Sequence, residues 1–169
     1  AFQCDATRVI TYMLEDERSE FNYAHVPQRR FNATTSVPGT GVCYAWNSAQ
    51  QGDNDIYATI TWWNVGKVAA LCQKLAGIAD GDGKSVLDNC VVFLGASMHG
   101  RDFRCADLPA LLIGGGGGAL KTDQHVSLTT RPLRDLYFTL MNDVFGMHVT
   151  DFGVNRNGAA LSSIAELLA

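Results

Sequence analysis

An α/β architecture with a mainly parallel sheet and helices on its faces is the fold class this sequence predicts. Three observations carry it. TRVITYM, residues 7–13, is a β-branched run of strand length. Residues 54–76 place Ile56, Ile60, Trp63, Val68, Leu71 and Leu75 at steps of three to five, one apolar face of a helix. NCVVFLGAS, residues 89–97, is a continuous apolar run, the pattern of a strand buried on both faces of a parallel sheet. The order is strand, long excursion, helix, strand, strand, helix, which fits helices layered on a sheet.

Each element has a local reason. The first strand stops at the charged turn Leu14-Glu15-Asp16-Glu17-Arg18. Residues 19–53 show no clean period and carry Pro27, Pro38, Gly39 and Gly41, so they are expected to form a long irregular excursion. Asp53 or Asn54 can cap the helix and Gly77 can end it. Trp62 and Trp63 are adjacent, so they cannot share its buried face. Ala79-Asp80-Gly81-Asp82-Gly83-Lys84 is a turn that resembles part of a calcium loop, but the later ligands and the closing Glu are missing. A third strand is expected over 108–113, with Pro109 at its start. Pro132 opens a second helix whose buried face is Leu133, Leu136, Tyr137, Leu140 and Val144, ended by Gly146. A short last helix is expected over 161–168.

The chain has 169 residues, 47% hydrophobic and 18% charged, enough for one core. Residues 1–169 therefore read as a single α/β domain or the C-terminal part of a larger one. The formal net charge is −4 and no basic run exceeds Arg29-Arg30, which argues against nucleic acid as a partner. No apolar stretch approaches the roughly 20 residues of a membrane span. The chain opens on Ala1 and enters an apolar run almost at once, so an upstream part of the same precursor is expected.

Five cysteines are present and none forms a CxxC pair, which leaves a zinc ribbon or thioredoxin motif unsupported. Cys72 and Cys90 read as small core hydrophobes. Cys43 and Cys105 lie in polar stretches and are the disulfide candidates for an oxidising compartment.

The densest feature is LPALLIGGGGGALKTDQH, residues 108–125. Gly114, Gly115, Gly116, Gly117 and Gly118 give up five side chains in a row. Such a run can cradle an anion with its N–H groups, with Lys121 just beyond as a counter-charge. No Gly-Lys-Ser/Thr follows it, so it is not a nucleotide P-loop. It can equally be a strand-end turn packed so closely that no Cβ fits, with Lys121 merely solvated. In a parallel sheet, ligands gather at the C-terminal ends of strands. That arrangement would bring together Glu15-Asp16-Glu17, Ser97-Met98-His99-Gly100 and the glycines. Ser97 is not in a GxSxG elbow, so a serine nucleophile is unsupported.

AFQCDATRVITYML, the Trp63 helix, DNCVVFLGASMHG and above all LPALLIGGGGGALKTDQH resemble a bacterial family of exported proteins known only as a domain of unknown function. Its members read AFQCDxTRV and LPxxxxGGGGGxxKTxxH, and the resemblance runs from residue 1 to about 152. The family is similar in turn to the alkaline phosphatase and sulfatase superfamily. That likeness implies an alkaline-phosphatase-like or sulfatase-like C-terminal portion and a periplasmic, cell-surface or extracellular location. It also implies a metal-type turn at Ser97-Met98-His99-Gly100. His99 and His125, with Glu15 and Asp16 (or Glu17 and Asp102), are the ligands it would supply to a divalent metal.

The departures point elsewhere. GVCYAWNSAQQGD has no histidine where many family members are histidine-rich, and RDFRCAD has none after the metal-type turn. A hydrolytic metal centre needs several convergent His or carboxylate ligands. The expected function is thus that of a catalytically degenerate structural or interaction subunit of an envelope or surface assembly. Its partners would be other protein subunits or the upstream part of its own precursor. The alternative is a metal-dependent hydrolase of phosphate or sulfate esters.

Overall fold

The computed structural model describes residues 6–14, 23, 26, 54–97, 105–128, 131–152 and 160–169. The chain divides into two compact units, Ala1–Leu71 with Gly95–Ala110, and Cys72–Leu94 with Leu111–Ala169. The described elements are helix α1 (Asn54–Ala76), the one-turn helix α2 (Val86–Asn89), strands β1 (Val92–Gly95) and β2 (Ala110–Ile113), and helix α3 (Leu133–Thr139). A π-turn, Leu140–Val144, continues α3, and single 3-10 turns form at Gly116–Gly118 and Ala165–Leu167.

The expected parallel sheet does not form. The described sheet is one antiparallel pair, β1 with β2, which overturns the α/β, alkaline-phosphatase-like or sulfatase-like reading. The physical reason lies at the strand ends. The residues after β2 fold back onto those before β1: Gly115 N–H donates to Leu87 O at 3.2 Å and Gly116 N–H to Cys90 O at 3.1 Å. In a parallel pair, the end of β2 would lie beside the end of β1 instead. Antiparallel neighbours need no crossover helix between them.

TRVITYM is the second correction. Residues 7–13 form no strand, and Val9, Ile10, Tyr12 and Met13 are 77%, 54%, 83% and 75% exposed. Strand propensity describes how a side chain suits a pleated, half-buried surface, and it makes no strand without a neighbour to pair with. The Thr7 hydroxyl bonds locally, donating to Val9 O at 2.8 Å and accepting from Val9 N–H at 3.3 Å.

Helix α1 has the expected bounds but a shifted inner face. Ile60, Val68, Cys72 and Leu75 are buried while Leu71 is exposed. Strict four-residue steps from Ile60 through Asn64 and Val68 reach Cys72 and leave Leu71 aside. Gly77 N–H closes the last turn on Gln73 O and Lys74 O. Within the first unit, Trp63 meets Tyr23 edge-to-face at 5.6 Å, with Lys67 over its ring at 4.3 Å, and Trp62 is exposed.

The second unit has its own core of Leu120, Leu136, Leu140 and Ile164, with Val91, Phe93 of β1 and Leu112 of β2 packed against it. Each such Leu or Ile contributes about 1.5–3 kcal/mol by leaving water. Phe93 meets Tyr137 edge-to-face at 5.6 Å. The expected last helix is only the 3-10 turn. After it, Leu168 is extended and bridges antiparallel to Leu120.

A polar group fastens this segment to α3. Arg131 donates from Nη1 to Ser162 Oγ and from Nη2 to Ser163 O, both at 2.6 Å, and its guanidinium lies 3.4 Å from Asp135 Oδ2. The buried Thr139 hydroxyl donates to Asp135 O at 2.7 Å and accepts from Ile164 N–H at 2.9 Å. Thr139→Val keeps the shape and leaves that buried amide unpaired. It is expected to lower stability by about 1–3 kcal/mol. Urea unfolding should show a lower midpoint at unchanged slope, with faster exchange of the Ile164 amide.

Candidate functional site

The five glycines form a turn whose sequence is explained position by position. Gly114, Gly116, Gly117 and Gly118 have φ of +109°, +54°, +73° and +100°, where side chains are rarely tolerated. Gly115 has an ordinary φ of −91°, but a Cβ there would sit 2.6 Å from Asp88 O. A Cβ on Gly114 would meet the carbonyl oxygens of Cys90 and Leu87, and one on Gly116 would press on Val144 Cγ1 at 2.7 Å. Close backbone approach thus governs Gly114 and Gly115, core side chains crowd Gly116, and conformation alone governs the last two, where space is open.

Three amides of the run, those of Gly115, Gly116 and Gly118, are committed to the protein. Besides the bonds to Leu87 and Cys90, Gly118 N–H and Leu120 N–H both donate to Gly115 O, at 2.9 and 3.2 Å, and Ala119 N–H donates to Gly116 O. An anion at Gly114–Gly118 would therefore have no donors from Gly115, Gly116 or Gly118. Lys121 is exposed, and its own N–H donates to Leu167 O at 2.9 Å. The cation that reaches the turn is one the sequence reading passed over. Lys84 Nζ donates to Gly117 O at 3.5 Å.

Lys84 belongs to the acidic turn 79–89, closed by the Ala79–Ser85 bridge. Asn89 Nδ2 donates to Asp80 Oδ2 at 3.0 Å and to Asp82 Oδ2 at 2.9 Å, linking the two carboxylates. Ser85 caps α2 with a reciprocal box. Asp88 N–H donates to Ser85 Oγ at 3.2 Å, and Ser85 N–H donates to Asp88 Oδ2 at 2.8 Å. The signal for it was in the sequence, a serine followed three residues later by an acid.

The Asn89 amide, then the Lys84 N–H, holds the Asp82 carboxyl below its usual range. The Ser85 N–H, then the Ser85 hydroxyl, does the same for Asp88. Such depressed groups stabilise the fold above the unfolded carboxyl value. That contribution is lost as pH falls through the lower folded value.

The remaining expected site residues separate. His125 is exposed in the segment after the glycine turn, and among the described residues no three His, Cys, Asp or Glu side chains group as metal ligands would. Glu15, Asp16, Glu17, His99 and Asp102 lie outside the described residues. The glycine run packs at the entry end of β1, and of Ser97-Met98-His99-Gly100 only Ser97 is among the described residues. Cys105, expected as a disulfide partner, is a free and exposed thiol, and Cys43 lies outside the described residues. Burial pushes the Cys72 and Cys90 thiols up, and Cys90 also feels the Cys72 thiol. Both suit the expected role of small core residues better than that of nucleophiles.

Two outcomes follow for the turn and its neighbour. Gly115→Ala, which drives a methyl into Asp88 O, is expected to cost about 1–3 kcal/mol. Gly117→Asn, left-handed but in open space, should cost less than about 1 kcal/mol; paired denaturation curves read the difference. In carboxyl NMR titrations, Asn89→Ala should raise the Asp82 midpoint while leaving Asp88 nearly unmoved, and Ser85→Ala should do the reverse.

Compared with known protein families, curated proteins and solved structures, the chain matches none.

Proposed function

We propose that this chain works by association, as a structural or interaction subunit, and that it does not hydrolyse phosphate or sulfate esters by itself. The single observation that carries the proposal is the apolar stretch 7–14. Val9, Ile10, Tyr12 and Met13 are more than half exposed, and Leu14 is 37% exposed. Water contact at several consecutive large apolar residues is unfavourable and marks a surface that another polypeptide covers. The exposed Trp62 of α1 adds an aromatic residue of the type that anchors protein interfaces.

Two further features support the reading. The feature most suggestive of anion chemistry, the glycine run, uses the amides of Gly115, Gly116 and Gly118 within its own turn. The histidine-poor stretches GVCYAWNSAQQGD and RDFRCAD offer few ligands beyond His99 and His125. The setting, an assembly at the bacterial envelope or surface, rests on the likeness of AFQCDATRV and the glycine-lysine-histidine motif to exported proteins. No described helix is long and apolar enough to cross a membrane.

The test is hydrolysis of p-nitrophenyl phosphate and p-nitrophenyl sulfate by the full chain. Zinc, manganese or calcium is supplied, and the His99→Ala variant runs alongside. Turnover is expected to stay at background and to be the same in both proteins. Metal-dependent turnover that collapses in His99→Ala and under chelation would overturn the proposal in favour of a hydrolase.

A further inference from the structure

We propose that the second unit carries a groove for an extended peptide, and that residues 162–169 are its resident but displaceable occupant. The site is separate from the stretch 7–14 and goes beyond the association reading above. The partner it fits is an extended polypeptide segment with a small hydroxyl residue two positions before a β-branched aliphatic one.

The groove is built within one unit, from Arg131 just before α3, Thr139 at its end, and residues 119–124 after the glycine turn. Arg131 Nη2 donates to Ser163 O at 2.6 Å, and Thr139 Oγ1 accepts from Ile164 N–H at 2.9 Å. Gln124 Nε2 donates to Glu166 O at 2.8 Å. Lys121 N–H donates to Leu167 O at 2.9 Å, and Ala169 N–H donates to Ala119 O at 3.0 Å. Each of these bonds falls on the main chain of the strap. Side chains are read at two places. Arg131 Nη1 donates to Ser162 Oγ at 2.6 Å, with the guanidinium held 3.4 Å from Asp135 Oδ2, and Ile164 is 1% exposed in the core.

The strap is held as a ligand is held. From Ser162 to Ala169, Ile164 is the one fully buried residue; Ala165, Glu166 and Ala169 are exposed and the others half-buried. Its regular structure is a 3-10 turn and a single bridge. A segment with so few buried apolar contacts opens at a lower free energy than the helices and strands around it. The groove does not need the strap to keep its own bonds. Gly115 and Gly116 bond to Leu87 O and Cys90 O, and Leu140 N–H bonds to Leu136 O within the helix. Leu120, Leu136 and Leu140 of the core also belong to the body.

The occupant describes its replacement. Main-chain bonds give an extended peptide its affinity, and the few side-chain pockets give it specificity. Here the hydroxyl place of Ser162 and the aliphatic place of Ile164 are the pockets, and the exposed places of Ala165 and Glu166 tolerate other residues. An incoming peptide must displace the strap, so its apparent affinity is the intrinsic one reduced by the fraction of chains in which the strap is open. Residues 162–169 thereby act as an autoinhibitory contact.

The test uses the full chain and a fluorescein-labelled peptide of residues 161–169, LSSIAELLA, read by anisotropy, with amide hydrogen exchange alongside. In the wild-type chain the amides of Lys121, Ile164 and Ala169 are expected to exchange together, about tenfold or more faster than the Leu140 amide. Ile164→Ala loosens the strap. It should speed exchange of the Lys121 amide, and the peptide should bind this variant more tightly by the same factor. Ile164→Val should do both to a smaller degree, and it serves where Ile164→Ala unfolds the chain. Ile164→Asp in the peptide should abolish binding, and Arg131→Gln in the loosened chain should weaken it. A Lys121 amide that exchanges no faster than that of Leu140 would overturn the proposal, because the strap would then open only with the whole unit. So would a peptide that binds neither loosened chain, or one that binds regardless of Ile164→Asp. None of these readouts involves residues 7–14 or ester hydrolysis, so the groove and the association reading can fail separately.

Discussion

The close approach of Gly114, Gly115 and Gly116 to the backbone of Leu87, Asp88 and Cys90 is the constraint on which the second unit depends. Two backbones meet there with room for no Cβ on either Gly114 or Gly115. The hydrogen bonds to Leu87 O and Cys90 O fix the contact. It holds the exit of β2 at the entry of β1, so the direction of the sheet follows from it. The same contact reverses the chain within five residues and delivers Leu120 to the core beside Leu136, Leu140 and Ile164. The C-terminal segment then pairs with the backbone just past the turn through the Leu120–Leu168 bridge. Lys121 N–H donates to Leu167 O, and Ala169 N–H donates to Ala119 O. Sheet direction, core and terminal strap are therefore consequences of one steric fit.

The acidic turn reinforces that fit from the other side. Asn89, the last residue of α2, holds both Asp80 and Asp82, and Lys84 reaches across to the carbonyl of Gly117. The α2 turn supplies the carbonyls of Leu87 and Asp88 that the glycines approach. The Ser85–Asp88 box therefore sets the surface on which the glycine turn rests. Charge here acts in short range and at the surface, where its contribution is modest. Its role is to select one loop conformation.

Helix α1 and the two apolar runs of β1 and β2 were legible in the sequence because their signals are local: periodicity, length and flanking glycine or proline. The parallel sheet was not, because strand direction is a non-local property. A continuous apolar run such as VVFLG suits either direction, and only the Gly115–Leu87 and Gly116–Cys90 contacts decide between them. Leu71 and Cys72 show a finer limit. Both are apolar neighbours at the end of a long helix, and which one is buried depends on a rotation that composition does not encode. TRVITYM had the residues of a strand but forms none, and Val9, Ile10, Tyr12 and Met13 stay exposed. At the site, the glycines were visible, but Lys84 and Asn89 were not singled out, since a turn of Asp, Gly and Lys has the composition of ordinary solvated surface.

These limits bear on how the glycine-lysine-histidine motif can be read. A residue pattern argues for chemistry to the extent that folding does not already require it. Here each glycine has a steric or conformational reason, and the peptide N–H of Lys121 pairs with Leu167. Gln124, one residue before His125, binds Lys121 O and Glu166 O through its side chain. Most of the pattern from Gly114 to Gln124 is accounted for before any ligand is invoked. The stretch 7–14 stands in the opposite position. Nothing in the described fold requires its apolar side chains, and exposure to water opposes them. A sequence feature that the described fold does not bury, and that solvent disfavours, is the ground on which association is proposed. That asymmetry, more than any motif, separates the stretch 7–14 from the glycine run.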